Sequence, residues 1–209
     1  MSEPQVFELF PTPVCRIPGL LDAGEAAGLA QRLAATAMVK NDKSAQLSHS
    51  RLLGPGEDPV LDALVGRLGP HVRKFGELLL GEELRWLVKE IWANVLQPGG
   101  EQALHNHANS FVSGVVYLTP CDDSARTTFL RGMGGTDFSL RNSHAGTRTN
   151  AFNAEKWAAP APAAGDLLLF PSYLLHQVPV NRGGERVTLA FNAIPHRLDA
   201  WGYALSLQP

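Results

Sequence analysis

The 209-residue sequence has few of the features that mark several common classes of protein. It contains only two cysteines, Cys15 and Cys121, too few for a disulfide framework or a cysteine-based zinc site. Such sparse cysteine suits the reducing cytosol, with a single bridge between the two thiols as the alternative. The longest nearly uncharged stretches, such as residues 167–180, are shorter than the roughly 18 residues of a membrane helix, and the first residues do not form a signal peptide. We therefore expect a cytoplasmic protein with no membrane partner.

The sequence also lacks a surplus of basic residues. It has 18 Lys and Arg against 20 Asp and Glu, a formal net charge of -2. Without a basic surplus the chain cannot neutralise many phosphates, so we expect no nucleic-acid partner. A hydrophobic fraction of 44%, with 20 Gly and 15 Pro, is typical of one compact domain over residues 1–209. The oligomeric state is left open.

Helix signals are concentrated in residues 1–83, which we expect to form a helical flank. A capping box opens the first predicted helix, and an N-cap followed by proline opens the second: Asp22 with Glu25, and Asp58 with Pro59. The first helix is expected to end near Met38, and Pro70 to kink or divide the second. Residues 7–17, interrupted by two prolines, predict an edge strand or an extended arm.

From residue 84 onward the apolar period changes from that of a helix to that of a strand. Over residues 84–96 the alternation predicts two faces: Leu87, Lys89, Ile91, Ala93 and Val95 on one, and Trp86, Val88, Trp92, Asn94 and Leu96 on the other. Further strands are predicted at 111–118, 127–130, 166–170, 175–180 and 186–194. Many short strands indicate a sandwich or barrel over residues 84–197. Residues 131–165 are long for a connection and are typical of a lid.

Three of the seven histidines have a context that suggests metal binding. His105 and His107 are separated by one residue, and in an extended segment both imidazoles would point to one face. His176 follows the apolar run 167–170 and could supply a third ligand. The ordinary alternative is that each is a hydrogen-bonded structural histidine.

The segments around these histidines resemble the family of 2-oxoglutarate- and Fe(II)-dependent oxygenases. Residues 105–118 fit a bacterial branch's pattern HxHxxSxxSGVxYL, and residues 167–176 fit its pattern LLLFPSxLxH. The resemblance extends over about residues 92–192, half of the chain, and residues 9–14 also resemble the start of that branch. It implies a mainly β fold with N-terminal helices, built on a double-stranded β-helix (a cupin-like jelly roll).

The resemblance also implies iron held by an H-x-D/E pair and a distal histidine. His105 matches the first ligand and His176 the distal one, whereas His107 takes the place of the usual carboxylate. Three neutral histidines would preserve the geometry but raise the charge of the site by one unit, and they make Zn(II) an alternative to Fe(II). Asp122 or Asp123 is a weaker candidate for a substitute carboxylate.

The same resemblance assigns residues to 2-oxoglutarate. Arg186 and Thr188 match the R-x-S/T element that holds the distal carboxylate, and Asn94 matches an asparagine that hydrogen-bonds this cosubstrate in related demethylase-type members. An arginine fork suits a carboxylate, and residues two apart share a strand face. The alternatives are a surface ion pair for Arg186, a structural role for Asn94, and Arg182 as the carboxylate-binding residue.

The implied activity is that of a dioxygenase. It would hydroxylate an unknown small-molecule or peptide substrate while decarboxylating 2-oxoglutarate to succinate and CO2, with His105, His107 and His176 as catalytic metal ligands. Two alternatives remain: a cupin-like three-histidine metalloenzyme that does not use 2-oxoglutarate, and a non-catalytic metal- or ligand-binding module.

Overall fold

The computed structural model describes residues 4–36, 38–132 and 144–208. These ranges contain two α-helices, α1 (Ala23–Ala34) and α2 (Pro59–Leu80), and a 3-10 turn at Asp123–Ala125. The strands are β1 (Cys15–Ile17), β2 (Val39–Lys40), β3 (Leu47–His49), β4 (Trp86–Leu96), β5 (Gln102–His105), β6 (Val112–Tyr117), β7 (Thr128–Leu130), β8 (Lys156–Ala158), β9 (Leu167–Pro171), β10 (His176–Val178), β11 (Arg186–Pro195), β12 (Arg197–Ala200) and β13 (Tyr203–Ser206).

Two antiparallel sheets make up the β-structure, and a separate hairpin joins β12 to β13. The larger sheet has the order β1-β9-β6-β11-β4-β3-β2, and the smaller one the order β5-β10-β7-β8. The sheets face each other, because Phe129 of the smaller sheet packs in one cluster with Tyr117 and Phe170 of the larger. This arrangement is a double-stranded β-helix, so the predicted fold class is confirmed.

The helices cover the outer face of the larger sheet. Leu64, Leu68 and Val72 of α2 pack in one core cluster with Leu189 and Phe191 of β11. Burial of this apolar stripe stabilises α2 more than its intrinsic propensity does. The helix begins as predicted, with the Asp58 carboxylate accepting hydrogen bonds from the Val60 and Leu61 amides at 2.9 and 3.2 Å.

The structure tests two details of the helix predictions. The capping box of Asp22 and Glu25 is present, but α1 ends at Ala34 rather than near Met38. Pro70 lies inside α2 without dividing it, because the buried stripe on both sides of the proline holds the helix together.

A bulge in β4 overturns part of the predicted face assignment. In the pairing of β4 with β11, Asn192 lies opposite Glu90 and Ala193 opposite Val88, which leaves Lys89 as the extra residue. Val88 therefore packs with Ile91 in the core under the helices. The strict alternation, which grouped Val88 with Trp92 and Lys89 with Ile91, was wrong on the N-terminal side of Glu90.

The peripheral segments were predicted less completely. Of residues 7–17 only β1 forms a strand, and it pairs with β9 at the edge of the larger sheet. Of the predicted lid, residues 133–143 lie outside the described residues, while β8 pairs with β7 at the edge of the smaller sheet.

Cys15 and Cys121 are both free thiols, so they do not form a bridge. Over the described ranges, neither helix has the length and apolar character needed to cross a membrane.

A close contact between α2 and β4 gives a test of this packing. A Cβ on Gly76 would lie 2.2 Å from the Trp86 ring, whereas a Cβ on Gly66 in the same helix would meet nothing within 4 Å. We expect Gly76→Ala to destabilise the protein by about 1–3 kcal/mol because the ring must shift. Gly66→Ala should instead stabilise it by up to about 1 kcal/mol through helix propensity. Urea unfolding of both variants checks this, and a stabilising Gly76→Ala would contradict the packing.

Candidate metal and cosubstrate site

The three predicted histidines lie together at one end of the barrel. His105 ends β5 and His176 begins β10, and the two residues are direct cross-strand partners. His107 follows β5 by two residues, and its amide donates to the Ser172 carbonyl at 3.0 Å. One potential ligand nitrogen from each ring lies within 4.8 Å of the other two. Strand pairing and one backbone bond therefore bring the three side chains together.

Hydrogen bonds fix the orientation of two of these rings. His105 Nδ1 lies 2.8 Å from the Ala103 carbonyl, and His176 Nδ1 lies 2.9 Å from the Leu174 carbonyl. Because a carbonyl only accepts, each Nδ1 carries the proton, so Nε2 is the acceptor nitrogen of both rings, and that of His105 lies 3.4 Å from Gln102 Nε2. His107 Nε2 lies 3.3 Å from His176 Nε2. A metal ion would bind His105 and His176 through these Nε2 lone pairs and would replace the contacts that they make here.

Burial keeps the cluster uncharged at neutral pH. It lowers the pKa of His107 to about 4 and that of His176 to about 3, and it also lowers the pKa of His105. A second, smaller cause at His107 and His176 is the neighbouring His105, since two charged rings would repel each other. Neutral imidazoles are the form that binds metal, so no proton has to be displaced near pH 7.

The donor set fits an imidazole-binding metal such as Fe(II) or Zn(II). Among the described residues no carboxylate belongs to the cluster. Asp122 instead accepts from the Ser124 amide and hydroxyl, and Asp123 is an exposed partner of Arg126 at 3.7 Å. The suggested substitute carboxylates are therefore engaged elsewhere.

Aromatic rings enclose the cluster. The Phe170 ring centroid lies 4.7 Å from that of His176, and Trp92 lies 5.7 Å from His107. Phe129 lies 6.0 Å from His176, and the half-exposed Trp157 stacks on Phe129 from the side of the solvent. This apolar wall excludes water and explains the depressed histidine pKa values.

Arg186 is a buried cation inside the same barrel. Arg186 is 4% exposed. Its Nε has no hydrogen-bond partner among the described residues, and its Nη2 lies 3.4 Å from Thr127 Oγ1. The guanidinium carbon lies 5.1 Å from the centroid of the Tyr117 ring, whose hydroxyl is 2.8 Å from Thr127 Oγ1. Among the described residues, no carboxylate forms an ion pair with Arg186. The neighbouring Glu185 accepts a hydrogen bond from Gln97 instead. A buried charge without a counter-charge is costly, so this position fits an anionic ligand.

Asn94 and Thr188 lie beside Arg186 on the inner face of the sheet. Thr188 pairs in register with both Asn94 and Tyr117. Both residues are buried, and neither side chain hydrogen-bonds to another residue in the part of the chain that the structure describes. The structure therefore brings together all three residues that were assigned to the cosubstrate. Arg182 lies in the exposed turn before β11 and is not part of this group.

The sequence interpretation missed several residues of the site. Tyr117, at the end of β6, and Thr127, the residue before β7, both contact the Arg186 guanidinium. Asn192 lies on the same face of β11 as Arg186, and its amide nitrogen lies 3.4 Å from His107 Nδ1. The period of two that linked Arg186 to Thr188 extends to Asn192, so this polar residue in an apolar strand was detectable.

Comparison with protein families agrees with this geometry. Residues 90–192 match the model of a family described as "Putative 2OG-Fe(II) oxygenase". The matched segment contains the three histidines and the residues around Arg186. Residues 90–192 belong to the 2OG-Fe(II) oxygenase family. The resemblance found in the sequence is thereby confirmed, whereas no curated protein matches the chain.

Solved structures of 2OG-Fe(II) oxygenases share the fold. An oxygenase of this family from Burkholderia pseudomallei is 15% identical with a TM-score of 0.60, and the match covers 86% of this chain and 83% of that one. A prolyl-4-hydroxylase from Pseudomonas putida is 18% identical with a TM-score of 0.59, covering 87% and 92%. HygX from Streptomyces hygroscopicus, with nickel, 2-oxoglutarate and hygromycin B bound, is 17% identical with a TM-score of 0.63, covering 88% and 83%.

The buried neutral histidines predict how stability depends on pH without metal. Each folded-state pKa is below the unfolded value of about 6.5, so the unfolded chain binds more protons between those two values. The metal-free protein should therefore lose stability as pH falls from 7 to 5, by on the order of 1–2 kcal/mol per histidine. Urea unfolding at both pH values measures this loss.

A matched variant isolates the contribution of one ring. His176→Gln should show a smaller loss between pH 7 and 5 than the wild type, because it removes one of the titrating groups. An equal loss in the two proteins would contradict the burial of His176 in its neutral form.

Proposed function

We propose that this chain is an Fe(II)- and 2-oxoglutarate-dependent dioxygenase that hydroxylates a small-molecule or peptide substrate. In this proposal His105, His107 and His176 hold the metal as catalytic ligands. Arg186 and Thr188 bind the distal carboxylate of 2-oxoglutarate, and Asn94 hydrogen-bonds the same molecule. Two free thiols further support a reducing, cytoplasmic location.

The observation that carries this proposal is the buried Arg186, which has no carboxylate partner among the described residues and lies in the barrel that holds the three histidines. A metal site alone would not need a second, cationic position. A dicarboxylate that chelates the metal at one end needs a fixed cation at the other, and an arginine fork supplies it. The unengaged side chains of Asn94 and Thr188 add hydrogen-bonding capacity between the two ends.

When bound, Fe(II) and 2-oxoglutarate supply the oxidation, in which O2 converts 2-oxoglutarate to succinate and CO2 and places its other oxygen atom in a C–H bond. The residues of the chain orient the reactants and exclude water. Tyr117 and Thr127 keep the Arg186 guanidinium in place, and Phe170 and Phe129 shield the histidines. A dry site strengthens each electrostatic contact that positions the cosubstrate.

Structural relatives support a small molecule as one class of substrate. HygX has hygromycin B bound, and SnoN from nogalamycin biosynthesis has Fe3+, alpha ketoglutarate and nogalamycin RO bound.

We also infer a single domain over residues 1–209, with residues 1–83 packed on a core over 84–197. One apolar cluster that joins α2 to β11 supports this division.

One observation favours a second candidate function. A metal cluster without a carboxylate among the described residues also suits a three-histidine metalloenzyme that does not use 2-oxoglutarate. Such an enzyme gives no reason for the buried Arg186. Use of 2-oxoglutarate separates the two candidates, and turnover separates both from a non-catalytic binding module.

Anaerobic titration tests the proposal directly. Adding Fe(II) and then 2-oxoglutarate to the metal-free protein should produce the visible charge-transfer band of a chelated 2-oxoacid. His107→Ala should abolish the band, because it removes a proposed ligand. Arg186→Ala should retain the band but require at least about tenfold more 2-oxoglutarate, since it removes a charge-assisted contact of 1.5–3 kcal/mol.

Arg182→Ala is the matched control, because Arg182 is an arginine four residues away that lies in an exposed turn. It should leave the titration unchanged. Bound iron without any band would contradict the use of 2-oxoglutarate and leave the three-histidine metalloenzyme as the better account.

A further inference from the structure

A glutamine lies against the metal-binding nitrogen of His105. The half-buried Gln102 is the first residue of β5, and its Nε2 lies 3.4 Å from His105 Nε2. His105 Nδ1 donates to the Ala103 carbonyl, so His105 Nε2 is an acceptor and the group of Gln102 that faces it is the NH2 donor. In the metal-free protein this amide therefore donates to the lone pair that a metal ion would use.

A bulge in β5 brings these two side chains to one face. His176 pairs with His105 and Val178 pairs with Gln102, so one residue of β10 lies opposite two residues of β5. In a strictly alternating strand Gln102 and His105 would point to opposite faces, because they are three residues apart. The extra residue turns Gln102 to the inner face on which His105 lies.

Side chains hold this bulge in place. The Ala103 amide donates to the buried Ser44 Oγ at 3.0 Å, and the Ala103 carbonyl accepts from His105 Nδ1 at 2.8 Å. Both backbone polar groups of Ala103 thus have partners although the strand ladder is interrupted here. The backbone that carries Gln102 is therefore fixed before any ligand binds.

Gln102 lies on the side of His105 that leads to Arg186. Its strand partner Val178 belongs to one buried cluster with Leu96, and Leu96 pairs in register with Arg186. A ligand that extends from the three histidines to Arg186 therefore leaves His105 on the side where Gln102 lies.

We propose that Gln102 is a further cosubstrate-binding residue: its amide N–H donates to the metal-bound carboxylate of the 2-oxoacid, at the opposite end from Arg186. This inference rests on the proposed function, which supplies the metal and the 2-oxoacid. A metal-bound His105 Nε2 has no lone pair left, so the Gln102 amide needs a new acceptor. A carboxylate oxygen is a stronger acceptor than a neutral imidazole. Gln102 thus competes with the metal in the empty site and binds the cosubstrate in the filled one.

Anaerobic binding of pyruvate to the Co(II)-loaded protein, followed by visible absorption, tests this role without turnover. Pyruvate has the chelating end of 2-oxoglutarate but no distal carboxylate. Gln102→Leu should weaken pyruvate binding by about tenfold or more, because it removes a hydrogen bond to a charged group. The same variant should bind Co(II) at least as tightly as the wild type, since it removes the donor that competes for His105 Nε2.

Gln97→Leu is the matched control, because Gln97 is an exposed glutamine whose side chain donates to Glu185. It should bind Co(II) and pyruvate as the wild type does. Wild-type affinity for pyruvate in Gln102→Leu would overturn the inference. Weaker binding of Co(II) by Gln102→Leu would also overturn it, because that result is expected if Gln102 only supports the fold around His105.

Gln102→Met repeats the measurement with a side chain of similar length if Gln102→Leu does not fold. Titration with 2-oxoglutarate then tests the proposed function separately: the wild type should bind it more tightly than pyruvate, and Gln102→Leu should weaken both ligands by a similar factor. Pyruvate binding that depends on Gln102, without tighter binding of 2-oxoglutarate, would reject the use of 2-oxoglutarate and keep the inference. Binding of neither 2-oxoacid to the Co(II)-loaded wild type would overturn both.

Discussion

The site depends on one constraint. The strand β11 is buried along its whole length, with one face packed against the helices and the other facing the barrel interior. Leu189 and Phe191 face the helices and contribute to the main core. Arg186, Thr188 and Asn192 face the barrel interior, where every polar group needs a partner. Because β11 pairs with both β4 and β6, its polar face lies next to Asn94, Tyr117 and Ser113. The strand that holds the sheet together thus also supplies the polar interior of the site.

The charges of that interior are unbalanced until ligands bind. Three histidines are kept neutral by burial, and Arg186 is a cation without a carboxylate partner among the described residues. A metal satisfies the imidazole lone pairs, and a dicarboxylate satisfies the guanidinium. The departure from the H-x-D/E donor set that the resemblance implies raises the charge of the metal site by one unit.

Much of the site was predictable because it follows from strand periodicity and short motifs. The His105–His107 pair needs only an extended segment, and the Arg186–Thr188 pair needs only a shared face. The contact of His176 with His105 was not derivable from local pattern, because it depends on which strands pair. The bulge at Lys89 was also invisible, since an inserted residue leaves the composition of a strand unchanged. Predicting which face of β4 Val88 occupies therefore required the register of β4 against β11.

The most direct test compares pyruvate with 2-oxoglutarate as ligands of the Mn(II)-loaded protein under anaerobic conditions. Pyruvate has the chelating end but lacks the distal carboxylate, so it should bind more weakly than 2-oxoglutarate. Arg186→Met should lower the affinity for 2-oxoglutarate by about tenfold or more, since it removes a charge-assisted pair, and leave that for pyruvate unchanged. Equal weakening of both ligands, or of neither, would contradict the account of one barrel holding a metal and a dicarboxylate.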